Sequence, residues 1–109
     1  MVVLVEPAQT HSATISVLAN TTGDPVTTYN FLRGTVSGGE SATPIGTVAA
    51  TTCTTTCTFT DLTVLGGVTY FYTVTASNSF GTSSPSPESK TTVPLNAPNI
   101  PATPTVTSK

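Results

Sequence analysis

Nine side chains of this sequence could hold or move a charge: Glu6, Asp24, Glu40, Asp61, Glu88, Arg33, Lys90, Lys109 and His11. A nucleophilic triad would have to use His11, which sits in an expected surface turn, and no G-x-S-x-G elbow accompanies it. Glycoside hydrolysis needs two carboxyls facing each other across a cleft. Asp24 and Asp61 instead fall in turn sequences, where an aspartate usually caps backbone N–H groups. Neither a glycine-rich phosphate loop nor a calcium loop is present. The expectation is a chain that is not an enzyme and uses no cofactor.

Cys53 and Cys57 are the remaining reactive groups, in Thr51-Thr52-Cys53-Thr54-Thr55-Thr56-Cys57. A zinc site takes about four ligands, and His11 is a poor candidate to complete one. The spacing is not C-x-x-C, so a thioredoxin-type redox role has no support. Two readings remain, a local disulfide pinching a turn or two unpaired thiols in a loop. So small a ring would add only ~2 kcal/mol in the loop-entropy treatment, enough to trim a turn but not to hold a fold. A disulfide would also place the protein in an oxidising compartment.

These groups need elements to position them, and composition limits what those can be. The chain has 109 residues, one domain's worth, with 7% charged residues and a net charge of -2. Three scattered basic residues cannot neutralise a run of phosphates, which argues against nucleic acid and against an acidic membrane surface. The only apolar run, Val2-Val3-Leu4-Val5, is too short to span a bilayer and lacks the flanks of a signal peptide. It reads as an edge strand, with any export signal upstream. Threonine is the outlier at 26 residues. Its branched, hydroxylated side chain suits the solvent face of a strand. A disordered Thr/Ser/Pro tract would have no reason to alternate threonine with Val, Ile, Tyr and Phe, as this chain does.

A period of two dominates the chain. Ala13-Thr14-Ile15-Ser16-Val17 alternates as a half-buried strand should, and Asn20-Thr21-Thr22-Gly23-Asp24-Pro25 is a cluster of turn residues. Asn20-Thr21-Thr22 also fits a glycosylation sequon, although a polar turn needs no more than those residues. Val26 to Arg33 follows, with Tyr29 and Phe31 on one face, then short strands at Ile45–Ala49 and Cys57–Thr60. The strongest strand is Thr69–Ser77, with Tyr70, Tyr72, Val74 and Ala76 on one face. Asn78 to Thr82 reads as a loop, and the last strand runs about Ser89–Val93 between prolines. Counting Val2–Val5, about seven short strands at regular spacing predict an all-β, seven-stranded antiparallel sandwich. The expected core is Ile15, Val17, Tyr29, Phe31, Phe59, Val64, Tyr70, Tyr72 and Val74. From residue 95 to 109 the chain reads as a proline-rich linker, or the start of a following module, leaving a domain of residues 1–94.

The runs Tyr29-Asn30-Phe31-Leu32-Arg33-Gly34, Ser37-Gly38-Gly39-Glu40-Ser41, Thr43-Pro44-Ile45, Phe59-Thr60-Asp61 and Tyr70 through Gly81 occur in order over roughly residues 10 to 94. In that order they resemble fibronectin type III modules of bacterial extracellular proteins. The resemblance implies a sandwich of that family, with Tyr70 as its corner tyrosine, its hydroxyl bonding back to backbone near Val64. Two features depart from the family. Its core tryptophan is missing, with Val17 or Leu18 in that place, and the cysteine pair is an addition.

On this reading the chain is an extracellular, monomeric spacer that orients neighbouring domains of one secreted or surface polypeptide. The resemblance suggests a polysaccharide-degrading enzyme or an adhesin as host. An alternative is a binding module for polysaccharide or protein, using the end loop Asn78, Ser79, Phe80 and Gly81 and the run Ser37–Ser41. A second alternative is a phage or pilus structural domain. Phe80 either folds back over the end of the core or stands free as a stacking or contact residue.

Overall fold

The structure, a computed structural model, describes residues 11–98 and 100–109. The expected strand at Val2–Val5 lies outside them. Among the described residues the chain is all-β, with antiparallel pairing throughout. The strands are β1 (Ala13–Leu18), β2 (Thr28–Gly34), β3 (Gly46–Ala49), β4 (Thr56–Asp61), β5 (Thr69–Asn78), β6 (Gly81–Thr82) and β7 (Ser89–Thr92). A single 3-10 turn, Ala50–Thr52, connects β3 to β4.

β1 and β4 form one sheet, with Ala13 opposite Asp61 and Val17 opposite Cys57. Outward threonines and serines bridge its exposed face, Ser16 to Thr58 at 3.1 Å and Thr14 to Thr60 at 3.4 Å. The second sheet runs β3-β2-β5, and both β6 and β7 lie along the far edge of β5. They act as two pieces of one interrupted strand. Between the pairs Ser77↔Thr82 and Tyr72↔Ser89, residues 73–76 of β5 face the longer segment 83–88. Pro85 and Pro87 fall in that bulge, where a missing N–H breaks no ladder bond. Ser83 and Ser86 keep the segment attached, donating to the Ala76 and Val74 carbonyls at 2.8 and 2.9 Å.

The inward faces of the two sheets share a core. Ala13, Val64, Tyr70, Tyr72 and Val93 form one buried cluster, and Tyr29, Phe31, Cys57 and Val74 form the other. Ile15 packs against both, while Val17 and Phe59 join the second. Those three are half-buried. Phe31 stacks on Phe59 with ring centroids 5.4 Å apart. Val17 packs against the core and Leu18 is exposed. Gly46 lies under the Phe59 ring, where a Cβ would have no room.

β5 departs from simple alternation. Thr73 and Thr75, on the face expected to meet water, are buried as well as Tyr72 and Val74. The cause is position: β5 is flanked by β2 on one side and β6 and β7 on the other, so neighbouring side chains cover it. Thr75 accepts a hydrogen bond from the Asn30 amide at 3.0 Å. After Val93 every described residue to Lys109 is exposed and outside any strand.

Candidate functional site

The end loop is tighter than its sequence suggests. Gly81 and Thr82, read as loop, pair with Asn78 and Ser77, which leaves Ser79 and Phe80 as the tip of a hairpin. Asn78 holds that tip with both ends of its side chain. Its Oδ1 accepts from the Phe80 amide at 2.8 Å, and its Nδ2 donates to the Pro25 carbonyl at 3.2 Å. Phe80 is 94% exposed, so it does not cover the end of the core. A groove of about 310 Å³ runs beside it, walled on the far side by Asn20, Asp24 and Val26.

A second constellation, which sequence reasoning did not assemble, joins the ends of three strands inside the molecule. Asp61, at the end of β4, has a side chain only 2% exposed and accepts four hydrogen bonds. They come from the Tyr72 hydroxyl at 2.8 Å, Arg33 Nη1 at 2.9 Å, and the Thr63 hydroxyl and amide at 2.6 and 3.0 Å. Arg33 also donates to the Thr63 hydroxyl at 2.8 Å, and its guanidinium lies 4.9 Å from the centre of the Tyr70 ring. Burial pushes the Asp61 carboxyl upward, and the bonds from Thr63, Tyr72 and Arg33 outweigh it, leaving the group below its usual range. Burial alone would lower Arg33, but its bond to Asp61 and that carboxylate's charge raise it overall. Tyr72 is held well above an ordinary phenol, first by burial and then by its bond to Asp61. The aspartate expected to cap a turn does cap Thr63, but it is also the anchor of this buried network.

Tyr70 sits beside it. Its hydroxyl accepts from the Leu65 amide at 2.9 Å, next to Val64. A third cluster ties the β2–β3 connection to the bulge before β7. Glu88 accepts from the Ser37 hydroxyl and the Gly38 amide, both at 2.7 Å. Those bonds, Gly38 first, hold Glu88 below its ordinary value. Glu40 is raised above its ordinary value, first by its interaction with the neighbouring Glu88 carboxyl and then by burial and that neighbour's charge. The run Ser37–Ser41 is thus tied down by Glu88, and neither glutamate lines the groove beside Phe80.

Cys53 and Cys57 form a disulfide with Cα atoms 4.9 Å apart, and no cysteine is free. His11 packs over Gly66, half-buried, and Lys90 lies exposed on β7. Among the described residues no cluster of His, Cys, Asp and Glu has the make-up of a metal site, and no helix is long and apolar enough to cross a membrane. Compared with known proteins, the chain matches no family model and no curated protein.

Proposed function

We propose that the chain is an extracellular module of the fibronectin type III kind, a two-sheet sandwich that sets distance and orientation between neighbouring domains of a secreted or surface protein. The observation that carries this reading is where the charged groups go. Arg33 and Asp61 lock β2 to the β4–β5 connection, and Glu88 locks the β2–β3 connection to the bulge before β7. Each ties one strand end to another, as a rigid unit requires, in place of converging on a cleft. The Tyr70–Leu65 bond and the sheet order support the family assignment. The Cys53–Cys57 disulfide supports an oxidising compartment. The exposed, proline-punctuated stretch after Val93 suits a joint of limited flexibility.

Energy transfer between fluorescent proteins fused to the two ends tests the spacer role. A single narrow distance distribution, unchanged by salt, is expected. A broad one, like that of an unstructured tether, would refute it.

One observation favours a second reading, a recognition module working through the end loop: Phe80 is presented to solvent on a pinned hairpin tip. Depletion of the protein from solution by insoluble polysaccharides, lost on Phe80→Ala, would support it. Equal depletion by the wild type and the variant would remove Phe80 from consideration.

A further inference from the structure

The end of the molecule that carries Phe80 also carries several hollows. The groove beside Phe80 lies between two walls, the Asn20–Val26 loop and the Asn78–Ser83 hairpin. At about 310 Å³ it is at the small end of ligand sites, which run roughly 300–1,000 Å³. Asn20 also borders three further depressions: two of about 240 Å³ each, one passing Tyr29 toward Cys53 and one passing Val74 toward Ser86, and one of about 650 Å³ between Leu18 and Thr55. The hollows therefore adjoin, as successive units of a chain-like ligand would need.

The chemistry of the walls narrows the ligand. No lysine, arginine or histidine lines the groove, and Asp24 does, which disfavours phosphate, sulfate and uronate groups. Its apolar lining is limited to Val26, Ala76 and Phe80, too little for a hydrophobic ligand. The rest is amide, carboxylate and hydroxyl. Neither the Asn20 nor the Asp24 side chain hydrogen-bonds a described residue, so both keep their full capacity toward a ligand. A carboxylate and an amide lining the same groove as an aromatic ring suit a sugar ring, with hydroxyls at its edge and C–H groups on its face.

The walls are also held before any ligand arrives. Asn78 bonds across to the Pro25 carbonyl and back to the Phe80 amide, and the Thr27 amide donates to the Ser77 carbonyl at 2.8 Å. The Asn20 amide donates to the buried Tyr29 hydroxyl at 2.7 Å, anchoring the other wall to the core. Little loop ordering is left to oppose binding.

We infer that this groove binds a sugar unit of a neutral polysaccharide, stacked on Phe80 and hydrogen-bonded by Asn20 and Asp24, with Asn78 as the residue that positions the stacking ring. The inference rests on the end-loop recognition reading and adds the opposite wall and the class of ligand. The test is titration of the ¹⁵N-labelled chain with cellohexaose, xylohexaose, mannohexaose and chitohexaose, followed by amide chemical shifts. At least one sugar is expected to move resonances of residues 20–26 and 78–83 together. Phe80→Ala and Asp24→Ala should each weaken that binding about tenfold, the loss of one stacking or charge-assisted contact. Leu62→Ala, an exposed change at the opposite end, should leave it unchanged.

Shifts confined to the hairpin, with Asp24→Ala neutral, would overturn the groove and leave end-loop recognition standing. No shift with any sugar would overturn the glycan assignment, and absence of polysaccharide depletion as well would take the recognition reading with it. Groove shifts that grow with protein concentration and without sugar would overturn it in favour of a protein surface.

Discussion

Replacing Asp61 by alanine should cost about 3–5 kcal/mol, the range measured when one partner of a buried ion pair is removed. The components follow from the four donors that lose their acceptor. Thr63 is exposed, so water replaces the lost bonds to its hydroxyl and amide at small cost. Arg33 is 25% exposed and keeps its contacts to Thr63 and the Tyr70 ring, so part of its charge rehydrates. Tyr72 has no such escape. Its hydroxyl is buried among core side chains, and an unpaired buried donor costs about 1–3 kcal/mol. A domain of this size has ~5–15 kcal/mol of stability in all. Urea and thermal unfolding followed by circular dichroism would then show Tm lowered by roughly 15–30 °C.

Asp61→Asn separates charge from shape. It keeps an acceptor for Tyr72 and should cost less, about 1–2 kcal/mol. It should also change the response to acid. Because the folded carboxyl sits below its ordinary value, its contribution is complete above the unfolded value of about 4 and is lost as pH falls through the folded one. Wild-type stability should therefore decline below about pH 4 more steeply than that of Asp61→Asn. A loss under about 1 kcal/mol for Asp61→Ala, or acid profiles that run parallel, would refute the assignment of this network as the internal lock.

Three further outcomes are expected. Tyr70→Phe leaves the Leu65 amide without its acceptor while keeping the ring under Arg33, and should cost about 1–2 kcal/mol in urea unfolding. Reducing the Cys53–Cys57 disulfide with dithiothreitol should lower stability by only about 2 kcal/mol, since the ring it closes spans five residues, and the far-ultraviolet spectrum should persist. Gly46→Ala drives a methyl into the Phe59 ring and should cost about 1–3 kcal/mol, most of it recovered in the double variant with Phe59→Leu.

Much of the strand pattern was legible because it is local. Alternation of apolar and polar residues over five or six positions sets which face of β1, β2 and β4 is buried, whatever the partner strand. The turn clusters between those strands, and the closeness of Cys53 to Cys57, are read the same way. Where the local pattern failed, an external cause can be named. Thr73 and Thr75 are buried because β5 has neighbours on both sides, which its own residues do not announce. Gly81 and Thr82 pair as β6 because the hairpin register places them opposite Asn78 and Ser77, in a stretch whose composition suggests only a loop.

The sites divide along the same line. Phe80 could be singled out by sequence, as an aromatic among turn residues, but its two possible orientations could not be told apart. Asn78 decides between them by holding the tip outward, and that hold depends on Pro25, far away in the chain. Arg33, Asp61 and Tyr72 were each visible as residues without a common role. They meet because β2 pairs with β5 so that Arg33 lies opposite Tyr72, while β4 carries Asp61 across the core to both. What the sequence by itself determined is the all-β class, the buried face of β1, β2 and β4 and the chance of a local disulfide, since each rests on short-range geometry. What only the tertiary structure decided is which distant polar groups become neighbours, because register and sheet packing, not spacing along the chain, bring them within hydrogen-bond reach.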